Sequence, residues 1–188
     1  MRSYRALVPA LVLAAASAVF GQGDLLDAPG VRNFHQVNDH VYRGAQPTGD
    51  GFKSLAKIGV HTVIDLREGR EFGGDEKKYV EGSGMHYVHV PFAGLAAPTD
   101  EQIATVFNVL EDPTAWPVFV HCRRGADRTG TVIACYRIAH DHWDKEKALN
   151  EAKMHGMSRI EVAMKNYILR FEPPVKHTPD LKTAASSQ

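Results

Sequence analysis

His121-Cys122-Arg123-Arg124-Gly125-Ala126-Asp127-Arg128-Thr129-Gly130 is the stretch that decides the fold. Five residues separate Cys122 from Arg128. The apolar run Val118-Phe119-Val120 leads into it, and Thr131-Val132-Ile133-Ala134-Cys135-Tyr136 leads out with helical character. A strand, a tight glycine-containing loop and a helix start make a cradle for an anion. The loop N–H groups and the positive end of the helix dipole converge on one spot. With a cysteine on its floor and an arginine on its rim, that spot suits attack on a phosphate ester.

The residue types follow from the chemistry. An ordinary thiol has a pKa of about 8.5, and only the thiolate attacks. Lowering a thiol by about 3 units takes about 4 kcal/mol. A helix dipole supplies at most about 2 kcal/mol, so loop N–H groups and nearby cations must supply the rest. Arg123, Arg124 and Arg128 are at hand. The planar fork of Arg128 can also hold two phosphoryl oxygens at once, which a lysine cannot match. Gly125 lets the backbone curl around the anion without a Cβ clash.

Cys-x5-Arg followed by Thr129-Gly130 resembles the signature of the cysteine-dependent protein tyrosine phosphatases. Tyr42-Arg43-Gly44-Ala45-Gln46-Pro47 and Val63-Ile64-Asp65-Leu66-Arg67 resemble patterns of their small atypical dual-specificity subgroup. The resemblance covers residues 34 to 172. It implies a protein tyrosine phosphatase-like α/β fold and a phosphocysteine intermediate. The rhodanese sulfurtransferase loop resembles Cys-x4-Arg, one residue shorter, which argues against sulfur transfer.

The 188 residues, 44% apolar, suffice for one well-packed domain. Arg2 and Arg5 precede an apolar stretch from Ala6 to Phe20, followed by small residues, which reads as an export signal over residues 1–21. That stretch is shorter than the ~20 residues a bilayer span needs. The expected protein is therefore exported, to a periplasm or the medium, with no stable membrane span after cleavage. Cleavage before Gln22 removes two arginines and no acid, leaving a net charge of −2. Nothing in this balance points to nucleic acid. Residues 22–33 read as a leader, 34–172 as the phosphatase domain and 173–188 as a polar, disordered tail, in a monomer. The two cysteines lie about two helical turns apart, too far for a disulfide. Cys135 reads as a small buried apolar residue.

Along the chain, Phe34–Val37 and His40–Arg43 read as a hairpin around Asn38-Asp39. Thr48 caps a helix ended by Gly59. Strands follow at Val60–Leu66 and Met85–Val90, with a polar loop and short helix between them. Thr99 and Gln102 form a capping box ahead of Ile103, Val106, Phe107 and Leu110. Pro117 opens the strand that delivers Cys122, and helices follow near 129–140, 144–155 and 161–172. Alternating strands and helices give an α/β fold with a mostly parallel central sheet flanked by helices.

Cys122 is the expected nucleophile. Arg123, Arg124, Gly125, Ala126, Asp127, Arg128 and Thr129 are the expected phosphate-binding residues. His121 orients the loop by hydrogen bonding or adds its charge to it. Thr129 donates to the cysteine sulfur or caps the helix. The leaving oxygen needs a proton. Relatives by resemblance carry an aspartate about thirty residues before the cysteine, but Val90-Pro91-Phe92-Ala93 stands there. Two candidates remain for the acid. Asp127 precedes Arg128, as in myotubularin-like phosphatases, and could instead pair with Arg123 or Arg124. Asp100 could instead be a helix first-turn acid. Arg67 touches substrate or pairs with Glu68 or Glu71. No histidine spacing suggests a metal, and no cofactor is expected. The expected activity is hydrolysis of phosphate monoesters, of phosphotyrosine or inositol phosphate type. The alternative is a phosphate-binding pseudophosphatase without turnover.

Overall fold

The computed structural model describes residues 27–69 and 76–174. In chain order the elements are β1 (His35–Asn38), β2 (Val41–Ala45), α1 (Gly49–Lys57), β3 (Thr62–Asp65), α2 (Glu76–Gly82) and β4 (His86–His89). They continue with α3 (Asp100–Leu110), a 3-10 turn (Pro113–Ala115), β5 (Val118–Cys122), α4 (Asp127–His140), α5 (Lys145–Met154) and α6 (Val162–Arg170). The sheet order is β1-β2-β5-β3-β4. β2, β5, β3 and β4 are mutually parallel, and β1 closes one edge antiparallel to β2. The expected α/β architecture with a mostly parallel sheet is the one observed.

Both faces of the central strand are covered, so β5 is buried throughout. Side chains alternate between two cores at the two-residue period of a strand. Val41, Ile64, Val118 and Val120 face α3, α4 and α6, meeting Val106, Phe107, Ile133 and Ile168. Tyr42, Val63 and Phe119 face α1 and α2, meeting Phe52, Leu55 and Val80. α4 is buried from Asp127 through Tyr136, so it is the inner helix on its side and shows no amphipathic stripe. α5 and α6 pack against it.

The local signals act as their chemistry requires. Thr48 Oγ1 accepts from Gly51 N at the start of α1. Thr99 and Gln102 bond each other's backbone N–H groups at 3.1 and 2.8 Å, closing the capping box of α3. Asn38 Oδ1 accepts from His40 N and Val41 N, so the hairpin turns on an Asx motif.

Most element ends move by one or two residues from the sequence reading, and two differences bear on the site and the domain. α4 begins at Asp127 rather than 129, which puts Asp127 and Arg128 on the first helical turn instead of in the loop. Residues 28–33, read as leader, belong to the folded unit, because Ala28 and Val31 are buried against the α1 side of the sheet. Residues 1–21, read from sequence as an export signal, residues 22–26 of the expected leader and the tail from 175 lie outside the described residues. No helix among the described residues is long and apolar enough to cross a membrane.

Candidate active site

β5 ends at Cys122, and α4 starts five residues later. The loop between them sits at the C-terminal edge of a parallel sheet, where such folds bind ligands. Its shape is fixed by where its carbonyls point. Arg123 O accepts from Gln46 N at 3.4 Å, and Ala126 O accepts from Gly130 N at 2.8 Å. Gly125 O accepts from both Asn33 Nδ2 at 3.0 Å and Arg43 Nη2 at 2.8 Å. Asn33 Nδ2 also reaches Arg124 O and His155 O. With the carbonyls held outward, the N–H groups of residues 123–127 have no acceptor among the described residues. They are the donors of the anion cradle.

Gly125 makes the closest approach. Its φ is +67°, and a Cβ there would lie 2.3 Å from Gly44 C. Gly125→Ala therefore forces the loop off β2. Positive-φ strain and the clash together cost about 1–3 kcal/mol or more. The variant is expected to lose about 5–10 °C of Tm and most phosphate turnover together. An unchanged Tm in differential scanning calorimetry would contradict this packing.

Cys122 is 1% exposed at the floor of the loop. Arg128 is buried on the first turn of α4, with Nη1 3.5 Å from Leu66 O. Thr129 is fully buried, and its Oγ1 has no hydrogen-bond partner. Arg123 and Arg124 are exposed at the rim. The backbone of residues 123–127 thus curves around one spot, with the Arg123 and Arg124 side chains at its exposed rim.

Beneath the loop lies a buried ionic network. Arg67 donates through Nε and Nη2 to the two oxygens of Asp65, at 2.9 and 2.7 Å. Its Nη2 also bridges to Glu76 Oε2. Tyr87 Oη donates to Asp65 Oδ2 at 2.9 Å. His121 Nε2 lies 2.8 Å from Glu76 Oε1, at an angle too bent for a hydrogen bond, and its Nδ1 has no partner. Burial alone would raise the Asp65 carboxyl, but the Arg67 hydrogen bonds and the charges of His121 and Arg67 hold it below the usual range. Arg67 is neither the exposed substrate contact nor the surface partner of Glu68 that the sequence suggests, and Glu71, its other expected partner, lies outside the described residues. Arg67 is 0% exposed, and its partners Asp65 and Glu76 lie beneath the loop.

Asp65, Glu76 and His121 bring three ligand atoms within 4.8 Å of one another, a set that could in principle hold a metal ion. The Arg67 guanidinium already bridges the two carboxylates and offsets one of their two charges. The cation of this cluster is a side chain.

Arg43 and Asn33 are functional residues that the sequence reading missed. Arg43 is 1% exposed on β2, paired in register with Val120. Burial pulls its pKa down to about 10, while the charges of Glu151 and the Cys122 sulfur pull it up. It stays cationic at neutral pH, fixed behind the nucleophile.

Neither candidate acid points freely into the cradle. Asp127 Oδ2 accepts from Arg124 Nη2 at 2.5 Å, the ion pair that was its alternative reading. Asp127 Oδ1 accepts from Ser158 N at 2.8 Å. Asp100 Oδ1 accepts from Tyr167 Oη at 2.7 Å. It lines a groove of about 680 Å³ between α3 and α6 that no loop residue borders. Its charge acts on Cys135, whose thiol is pushed up chiefly by burial. Cys135 is buried and free, as its apolar reading expects.

The chain is similar to several characterised phosphatases. It is 29% identical over 131 residues to inositol diphosphatase DSP2 of rice, covering 65% of this chain and 64% of that one. It is 26% identical over 124 residues to the dual specificity protein phosphatase TpbA of Pseudomonas aeruginosa, covering 66% and 55%. The chain therefore spans less than two thirds of either relative. Among solved structures, the core catalytic domain of the PP-IP phosphatase SIW14 from S. cerevisiae superposes with a TM-score of 0.67 at 20% identity. That match covers 75% of this chain and 86% of the other. P. aeruginosa TpbA in complex with phosphotyrosine gives 0.62 at 24%, covering 72% and 82%. These two likenesses establish the fold. The family model described as "DSP-PTPase phosphatase fused to NAD+ Kinase" matches residues 27–169. The chain belongs to this DSP-PTPase phosphatase family.

Proposed function

We propose that this phosphatase removes phosphate from polyanionic small molecules of the inositol phosphate class, including their diphosphates. The observation that carries the reading is the rim of the loop. Arg123 and Arg124 are exposed beside the cradle, while Arg128 and the loop N–H groups serve the phosphate being cleaved. Arg123, and Arg124 in part because it also pairs with Asp127, add positive charge outside the reacting site and favour a substrate with further phosphates nearby. The inositol diphosphatases among its relatives support the same class.

In the proposed reaction, Cys122 Sγ attacks phosphorus in line with the leaving oxygen. An S–P bond forms as the P–O bond breaks, and the leaving oxygen takes a proton. Arg128 and the loop N–H groups hold the equatorial oxygens as charge shifts onto them. A water then attacks phosphorus, gives up a proton and displaces the cysteine sulfur. Orthophosphate leaves and the thiolate returns.

A second reading, phosphotyrosine in peptides, is favoured by the likeness to TpbA, whose structure holds that ligand. Phosphate release from a diphosphoinositol polyphosphate and from phosphotyrosine peptides separates the two. The proposal predicts a kcat/KM at least about ten-fold higher on the inositol compound. It also predicts that the advantage disappears when Arg123 and Arg124 are both alanine, a loss of about 1–3 kcal/mol in binding. Preference for the peptide, or a preference untouched by the double variant, would reject it.

A further inference from the structure

Among the described residues the two expected acids, Asp127 and Asp100, are both engaged elsewhere, and a carboxylate that no motif singles out sits in a turn docked on the first turn of α4. Glu161 stands at the N-cap position of α6 but does not cap the helix. It is 4% exposed, and its Oε2 has no hydrogen-bond partner. Its neighbours Ile160 and Val162 are 74% and 59% exposed. The turn thus lies at the surface and tucks only Glu161 inward.

The turn is docked on the catalytic helix. Ser158 N donates to Asp127 Oδ1 at 2.8 Å, and Glu161 N donates to Ser158 O at 3.3 Å. Two hydrogen bonds therefore link Glu161 to the first turn of α4, next to Arg128. Asp127 and Glu161 form a carboxylate pair in unequal settings. Both oxygens of Asp127 are taken as acceptors by Arg124 and Ser158. Glu161 Oε2 has no such donor among the described residues.

We propose that Glu161 is the general acid, handing its proton to the leaving oxygen, and that Asp127 positions the turn that carries it. The inference rests on the cysteine phosphatase reading and deepens it. As the S–P bond forms and the P–O bond breaks, the Glu161 proton moves to the leaving oxygen. The resulting carboxylate then takes a proton from the water that cleaves the S–P bond, restoring the acid. Environment supports the division of roles. Burial and the Asp127 charge raise the Glu161 carboxyl, against the opposing pull of Arg124, Arg128 and Lys165. A carboxyl held up by its surroundings suits a proton donor.

Leaving-group dependence tests the role, because a poor leaving group needs the proton and a good one does not. In Glu161→Gln, kcat/KM on phenyl phosphate is expected to fall by about 10²–10³-fold, while kcat/KM on 2,4-dinitrophenyl phosphate, which reports only the steps through S–P bond formation, stays within about three-fold. The alkaline decline of kcat/KM on phenyl phosphate should vanish with it. The ratio is taken within one protein preparation, so partial unfolding does not mimic it. Equal losses on both substrates would overturn the assignment. So would a leaving-group-selective loss in Asp127→Asn with none in Glu161→Gln. Either result leaves the phosphatase reading standing, and only a native enzyme inert on both esters would remove that reading itself.

Discussion

Cys122→Ser is expected to abolish phosphate release, by a factor on the order of 10⁵. The residue is 1% exposed, at the end of the central strand, with its neighbours' N–H groups turned into the cradle. The substitution barely changes volume, and β5 is held by parallel partners on both sides. The fold should therefore persist, and circular dichroism should match the native protein. What changes is nucleophilicity. A serine hydroxyl ionises far above any pH the protein meets, and the adjacent His121 is turned to Glu76 rather than to residue 122. A phosphoserine, once formed, would also leave poorly in the second step. Retention of a tenth of native turnover, in a fully folded variant, would reject the nucleophile.

Arg128→Lys is expected to lower kcat/KM by about 10²–10³-fold. Charge is conserved, so a general electrostatic role would lose little. The planar fork is not conserved, and a bidentate hold on two phosphoryl oxygens needs it. Its place on the first turn of α4 also lets the guanidinium and the helix N-terminus address the same anion. Loss should fall on kcat more than on KM, because the transition state gathers charge on those oxygens. A change of less than about five-fold would show that Arg128 supplies charge alone.

Much of this architecture was legible in the chain. The capping box at Thr99 and Gln102, the Asn38 turn and the glycine stop at Gly59 are local chemistry, settled within four residues. The loop was legible for the same reason, since its glycine, cysteine and arginine are adjacent in sequence. The start of α4 was set two residues late because Ala126 makes no side-chain cap that a reader could find. The supports of the loop were illegible for another reason. Arg43 and Asn33 reach Gly125 across 82 and 92 residues, through strand pairing that no periodicity encodes. Arg67 lay in a recognised strand pattern, yet its burial with Glu76 depends on where α2 packs. The acid posed the hardest case. A search back along the chain from Cys122 finds none in the expected loop. Glu161 comes 39 residues after the cysteine, in a turn whose docking on Asp127 only the fold reveals.

These predictions share one claim, that catalysis passes through a covalent phosphocysteine. Rapid acid quench of native enzyme turning over 2,4-dinitrophenyl phosphate, followed by peptide mass spectrometry, tests it most directly. The account predicts one phosphoryl group on the peptide carrying Cys122, formed in a burst and absent from Cys122→Ser. Steady phosphate release with no phosphoryl group on Cys122, or with one on another residue, would contradict it.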